Sequence, residues 1–157
     1  MVYILLAIAI FITDFKLKDY IEKNKDMHKK EDILGGNIIV ERYHNKGAML
    51  NFLEDNVKLV KIITSTMLGI LLLVFAFVLP KKGNHLLKFA LSLVLGGALS
   101  NVFDRIKKGY VVDYFSFKFL KKIVFNISDI CIFMGACIIA IVSLVKKDWD
   151  FLRMRLL

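Results

Sequence analysis

The sequence predicts an all-α membrane protein: four transmembrane helices with a small β element on one membrane face. Three observations carry this. Hydrophobic residues make up 57% of the 157 positions, against about 45–50% in soluble domains. They are gathered in long blocks, not spread at the spacing of a half-buried helix or strand. The 23 Lys and Arg lie between the blocks or at their edges, where lipid phosphates would meet them. The length is that of one domain.

The first helix is expected at about 2–21. Its uninterrupted apolar part, Met1 to Ile12, is short for a span of about 20 residues. Phe15, Leu17, Tyr20 and Ile21 extend it and bring Asp14 and Lys18 along. No basic leader and no small-residue cleavage pattern accompany the block, so a retained span is expected here, not a cleaved signal. The segment that follows is charged to Asp32. Gly35-Gly36, the β-branched run Ile38 to Val40, and an apolar run from Ala48 to Leu53 then predict a surface β element over about 33–56.

The second helix is expected at about 59–79, closed by Pro80, the only proline. The third is expected at about 86–106 and the fourth at about 127–145. Each suits a hydrocarbon core of about 30 Å, and backbone in lipid must satisfy its own hydrogen bonds as a helix. Gly96, Gly97, Ala98 and Ser100 on the third helix, and Gly135, Ala136 and Ala140 on the fourth, predict close helix contact.

Four spans put both termini on one side. Segments 22–58 and 107–126 then share one face, and the loop 81–85 shares the other with the tail 146–157. Lys81, Lys82, Lys88, Lys146, Lys147, Arg153 and Arg155 on one side stand against Lys107, Lys108, Lys118, Lys121 and Lys122 on the other. The positive-inside rule alone does not orient the chain.

A net charge of +9 is compatible with nucleic acid or an anionic membrane. The apolar blocks decide for the membrane, and no nucleic-acid-binding motif is present. Cys131 and Cys137, six apart on one helix, point in different directions and fit no metal motif. His28, His44 and His85 are scattered, and Ser100, Ser116 and Ser128 have no histidine close in sequence. No phosphate-binding glycine loop opens a helix. No metal and no cofactor are expected.

Ionisable residues at span edges are costly and mark function. Asp14, Lys18, Asp104, Arg105 and Asp129 are such residues, and Asp113 lies just past the third helix. Asp14 and Lys18, one turn apart, can pair. Asp104 and Arg105 are adjacent and must each find another partner. Arg105 suits a lipid phosphate or a snorkelling position. Asp113 and Asp129 fall at one membrane face with 15 residues between them. Brought together, two carboxylates cannot both ionise cheaply; one keeps its proton and the other is a base. Such a pair can activate water and hydrolyse an amide without a covalent intermediate. The competing reading makes Asp113 a loop residue and Asp129 a cap on a helix N-terminus, with Asn126 and Ser128. A proton-coupled carrier is a third reading, but the ionisable residues cluster at an edge and no repeat is visible.

Five segments resemble bacterial lipoprotein signal peptidase, signal peptidase II. Gly96 to Arg105, GGALSNVFDR, is similar to the family's GGALGN-x-x-DR. Val111 to Phe115, VVDYF, resembles its VVDF. Phe125 to Asp129, FNISD, resembles FN-x-AD. His44 to Met49, HNKGAM, resembles N-x-GAAF, and Asp14 to Lys18 resembles D-x-x-x-K. Their order is the family's order, and they span nearly the whole chain. The resemblance implies an aspartic endopeptidase that removes signal peptides from diacylglyceryl-modified prolipoproteins. It implies a catalytic pair, Asp113 and Asp129, with Asp14, Lys18, Asn45, Gly97, Asn101, Arg105 and Asn126 binding substrate or supporting the site. It also implies an extracytoplasmic β-cradle in the first loop, a short loop helix, both termini cytoplasmic, and an active site near the outer leaflet of a bacterial plasma membrane. Partners would be prolipoproteins and membrane lipids, not nucleic acid, and a monomer is expected. Ser100 replaces the family's glycine, Ser128 its alanine, and Met49-Leu50 its small-then-aromatic ending; the spacing of Asp113 to Asp129 is on the short side. The alternative within the family is a weak paralogue that binds lipidated peptides without cutting them.

Overall fold

A computed structural model describes residues 1–47, 53–120 and 123–155, with side chains through residue 145. Four helices occupy the four apolar blocks. Helix α1 is Val2–Asn24, α2 is Val57–Val78, α3 is His85–Lys107 and α4 is Ile127–Arg155. Helix α1 runs into the charged segment because nothing there breaks it. A 3-10 turn, Glu54–Asn56, leads into α2, and Asn56 caps that helix by accepting from the Leu59 amide at 3.1 Å. Helix α2 ends at Val78; Leu79 still has helical backbone angles and its amide donates to the Phe75 carbonyl at 2.9 Å, and Pro80, which has no N–H to donate, stops the ladder there.

Helix α3 is the axis of the molecule and packs against α1, α2 and α4. Close approach is possible because glycines sit at the crossings. A β-carbon on Gly96 would lie 2.7 Å from the Ala7 carbonyl oxygen, and one on Gly135 2.7 Å from that of Ala90. The apolar outer faces of α2 and α4, among them Leu73, Phe77, Phe133 and Leu144, are exposed. An aqueous protein rarely exposes so much apolar surface; a lipid-facing one needs it. Among the described residues, α2, α3 and α4 are long and apolar enough to cross a membrane by length and composition. Helix α1 is outside that group because Asp14, Lys16, Lys18 and Asp19 interrupt its second half.

Three antiparallel strands form a sheet in the order β1-β2-β3: β1 is Glu31–Ile33, β2 Ile38–Asn45 and β3 Val111–Phe117. Leu34, Gly35 and Gly36, all at positive φ, turn β1 into β2. The sequence reading confines the β element to the first loop. The structure adds β3 from the segment after α3, where valine and aromatic residues favour pairing. Strand β3 is buried on both faces: Val112 and Tyr114 pack with Ile21 of α1, while Val111 and Asp113 turn the other way. Asp113 thereby reaches the interior in spite of its charge. Among the described residues, two short 3-10 turns, Glu54–Asn56 and Lys118–Leu120, lie in the loops. Residues 48–52, with Met49 and Leu50, lie outside the described residues.

Candidate active site

The sheet and the adjacent ends of α1, α3 and α4 bring the motif residues together. Asp113 is 1% exposed. It lies opposite Tyr43 in the β2–β3 register, with Asn45 diagonal to it on the same face. Asn45 Nδ2 donates to Asp113 Oδ2 at 3.0 Å. Asn126 Nδ2 donates to Asp113 Oδ1 at 2.7 Å.

Asn126 also caps α4. Its Oδ1 accepts from the Asp129 amide at 2.9 Å, and its own amide donates to Asp129 Oδ2 at 3.1 Å. This is a reciprocal capping box, with aspartate in the place usually held by Glu or Gln. The cap reading of Asp129 and the paired-carboxylate reading are therefore compatible: one residue, Asn126, hydrogen-bonds both carboxylates. Asn101 on α3 completes the set. Its Nδ2 donates to Asp129 Oδ1 at 2.8 Å, and its Oδ1 accepts from Asn126 at 3.2 Å and from Lys18 Nζ at 2.7 Å. Gly97 is required one turn away, because a β-carbon there would fall 2.5 Å from the Ser128 carbonyl oxygen.

Asp14 and Lys18 pair as their spacing predicts, at 2.8 Å, and both are buried. Lys18 also lies 3.4 Å from Asp104 Oδ2. Asp104 finds its other partners in Lys108, at 2.9 Å, and the Val112 amide, at 3.2 Å. Arg105 turns inward instead of snorkelling: its Nη2 donates to the Gly47 carbonyl at 3.0 Å, tying the chain after β2 to α3. Asn45 Oδ1 and Arg105 Nε, both buried, have no hydrogen-bond partner among the described residues.

Burial pushes the Asp113 carboxyl up to about 7, and the charge of Asp129 adds to this against the opposing bonds from Asn45 and Asn126. Tyr114 is held above the usual phenol range by burial and by Asp14, so it is a neutral donor. The arrangement has the parts of an acid–base carboxylate pair: two carboxyls that both accept from amide donors, with Asp113 held well above the usual carboxylate range. Among the described residues, no group of three His, Cys, Asp or Glu is placed to hold a metal ion.

All nine candidate residues fall in this one region. Tyr114, Ser100, Ser128 and Asp104 join them there. The sequence marks Ser100 as a small packing residue, Ser128 as a cap candidate and both as departures from a motif, and nothing in it marks the Tyr114 hydroxyl. Their shared signal, polar groups one residue away from motif residues, is visible only once helix and strand directions are known.

Comparison with known proteins gives a consistent result. A family model, Signal peptidase (SPase) II, matches residues 6–145. A lipoprotein signal peptidase of Caldicellulosiruptor bescii is 33% identical over 144 residues, covering 92% of this chain and 91% of that protein. One from Lactiplantibacillus plantarum is 30% identical over 148 residues, covering 94% and 96%. A solved bacterial membrane enzyme is similar in structure with a TM-score of 0.81 at 27% identity, covering 95% of this chain and 90% of that one.

Proposed function

The chain belongs to the signal peptidase II family and is a membrane protease that removes signal peptides from lipoprotein precursors; we propose that it does so as an aspartic endopeptidase, with Asp113 and Asp129 as its dyad. The observation that carries this is the Asn126 bridge, which fixes the buried Asp113 carboxylate and the half-buried Asp129 carboxylate, from separate elements, by hydrogen bonds of 2.7 and 3.1 Å.

In this mechanism Asp113 keeps its proton and Asp129, at a helix N-terminus where negative charge is favoured, is the base. A water between them gives a proton to Asp129 as its oxygen attacks the scissile carbonyl. Asp113 protonates the carbonyl oxygen. Collapse of the tetrahedral species expels the amine, which takes the proton held by Asp129, and Asp113 recovers its own from the hydroxyl. Asn45, Asn101 and Asn126 hold the two carboxylates through these steps. Asn45 Oδ1 and Arg105 Nε, which have no partner among the described residues, offer an acceptor and a donor that an extended peptide backbone would satisfy.

We further propose four membrane crossings, with α1 as the first. Its two most buried charges, Asp14 and Lys18, face the protein and pair there, which removes the cost of showing them to lipid. Both termini are then cytoplasmic and the sheet lies on the outer face, near the diacylglyceryl-modified cysteine of the substrate, whose acyl chains stay in the bilayer. No cofactor enters this mechanism.

The test is cleavage of a diacylated prolipoprotein by the purified chain in detergent, followed by gel shift. Cleavage by the unaltered chain and none by Asp113→Asn or Asp129→Asn is expected. Cleavage surviving both substitutions would sink the dyad.

A further inference from the structure

Asp14 is wholly buried and accepts hydrogen bonds from four side chains. Lys18 Nζ, Ser100 Oγ and Ser128 Oγ donate to its Oδ2 at 2.8, 2.6 and 2.5 Å, and the Tyr114 hydroxyl donates to its Oδ1 at 2.9 Å. The three hydroxyls come from α3, α4 and β3. Each stands next in sequence to a residue of the dyad region: Ser100 before Asn101, Tyr114 after Asp113, Ser128 before Asp129. Neighbours on a strand point to opposite faces, and neighbours on a helix diverge by about 100°. So the hydroxyls turn toward Asp14 while Asn101, Asp113 and Asp129 turn toward one another. Tyr114 also accepts from the Ile127 amide at 3.0 Å, fixing the first turn of α4 a second time.

We propose that Ser100 and Ser128 are positioning residues: through Asp14 they clamp α3 and α4 to α1, and so set where Asn101 and Asp129 stand relative to Asp113. This rests on the dyad assignment above. At these two positions the family motifs that the chain resembles carry glycine and alanine, which have no hydroxyl, so this chain makes the clamp from its own departures. A buried carboxylate needs its lone pairs filled in addition to its ion pair. Removing the hydroxyls leaves Asp14 held by Lys18 and Tyr114 only and frees α4 to shift against α3. Displacements of about 1 Å at a reacting centre lower rates by up to about a hundredfold.

The test uses the full chain in detergent with a diacylated prolipoprotein peptide as probe. Ser100→Ala/Ser128→Ala is expected to lower kcat about tenfold or more, by misplacement of this kind, with KM within about twofold because neither hydroxyl reaches substrate. Ser92→Ala is the control. Ser92 is equally buried, but its hydroxyl donates to the Lys88 carbonyl at 2.8 Å within α3, away from Asp14, and its loss leaves kcat unchanged. In an Asp14→Asn background the two serine substitutions add little, because the group they act on is gone. A double variant with unchanged kcat overturns the clamp, as does an equal loss in both backgrounds. The same cycle read by thermal unfolding needs no activity: coupling between Asp14 and the serines supports the clamp, and additive losses overturn it. A failure of the unaltered chain to cleave would count against the proposed function, and the unfolding cycle would still decide the clamp.

Discussion

Replacing Asp113 by Asn should change how stability depends on pH, by an amount the structure sets. Asp113 is 1% exposed and its carboxyl is pushed from 3.8 up to about 7. The folded state therefore holds this proton more tightly than the unfolded state does. The resulting stability is complete below the unfolded value near 4 and is lost as pH rises toward 7. At about 1.4 kcal/mol per pH unit, the loss between pH 5 and pH 8 comes to at most about 3 kcal/mol. The ceiling is reached only if Asp129 does not share the proton. Asn has no such proton to lose. It cannot accept from both Asn45 and Asn126 as the carboxyl does, which costs about 1 kcal/mol at every pH. The variant should thus unfold close to the unaltered chain at pH 5 and gain on it by up to about 5–10 °C at pH 8. Thermal unfolding of both proteins in one detergent measures this, and titrating groups that do not interact with Asp113 cancel in the comparison; Asp129 does interact with it. An equal difference at the two pH values, or a variant that loses ground at pH 8, would refute the reasoning.

Activity should fall on the alkaline side as Asp113 loses its proton near pH 7 and on the acid side as its partner gains one; a pH–rate profile that keeps rising past pH 9 contradicts the pair. Lys18→Met leaves Asp14 and Asp104 buried with their shared cation gone, and should cost about 3–5 kcal/mol in chemical unfolding; a loss under 1 kcal/mol would show that the pairing is not structural. Gly97→Ala places a β-carbon against the Ser128 carbonyl oxygen and should cost about 1–3 kcal/mol by overpacking, with kcat falling because Asp129 moves; full activity would mean that the α3–α4 crossing is not fixed. Arg105→Lys removes the donation to the Gly47 carbonyl and should raise KM more than it lowers kcat, as steady-state kinetics will report.

The helices were legible because length and hydropathy decide them in a bilayer. The described helix ends lie within three residues of expectation for α1, α2 and α3, and α4 runs on beyond 145 because no breaker follows. Strand β3 was not legible. Val-Val-Asp-Tyr-Phe shows no clean alternation, because both of its faces are buried, one by apolar side chains and the other by the Asn45 and Asn126 bonds. The candidate residues could be named from their motifs. Their connections could not: that Asn126 serves both carboxylates, or that Ser100, Ser128 and Tyr114 meet at Asp14, depends on register and helix phase between segments up to 114 residues apart. Composition carries no trace of either. Arg105, for which the sequence leaves open a lipid-facing and a site-supporting position, turns inward and donates to the Gly47 carbonyl.

The most direct measurement is the single-turnover cleavage rate of a diacylated prolipoprotein, with both products identified by mass, for the unaltered chain, Asp113→Asn, Asp129→Asn and the double variant. Two carboxylates acting as a unit predict a loss of at least about a thousandfold for each single variant and no further loss for the double. A single variant within about tenfold of the unaltered chain, or losses that multiply in the double, would contradict a catalytic dyad at Asp113 and Asp129.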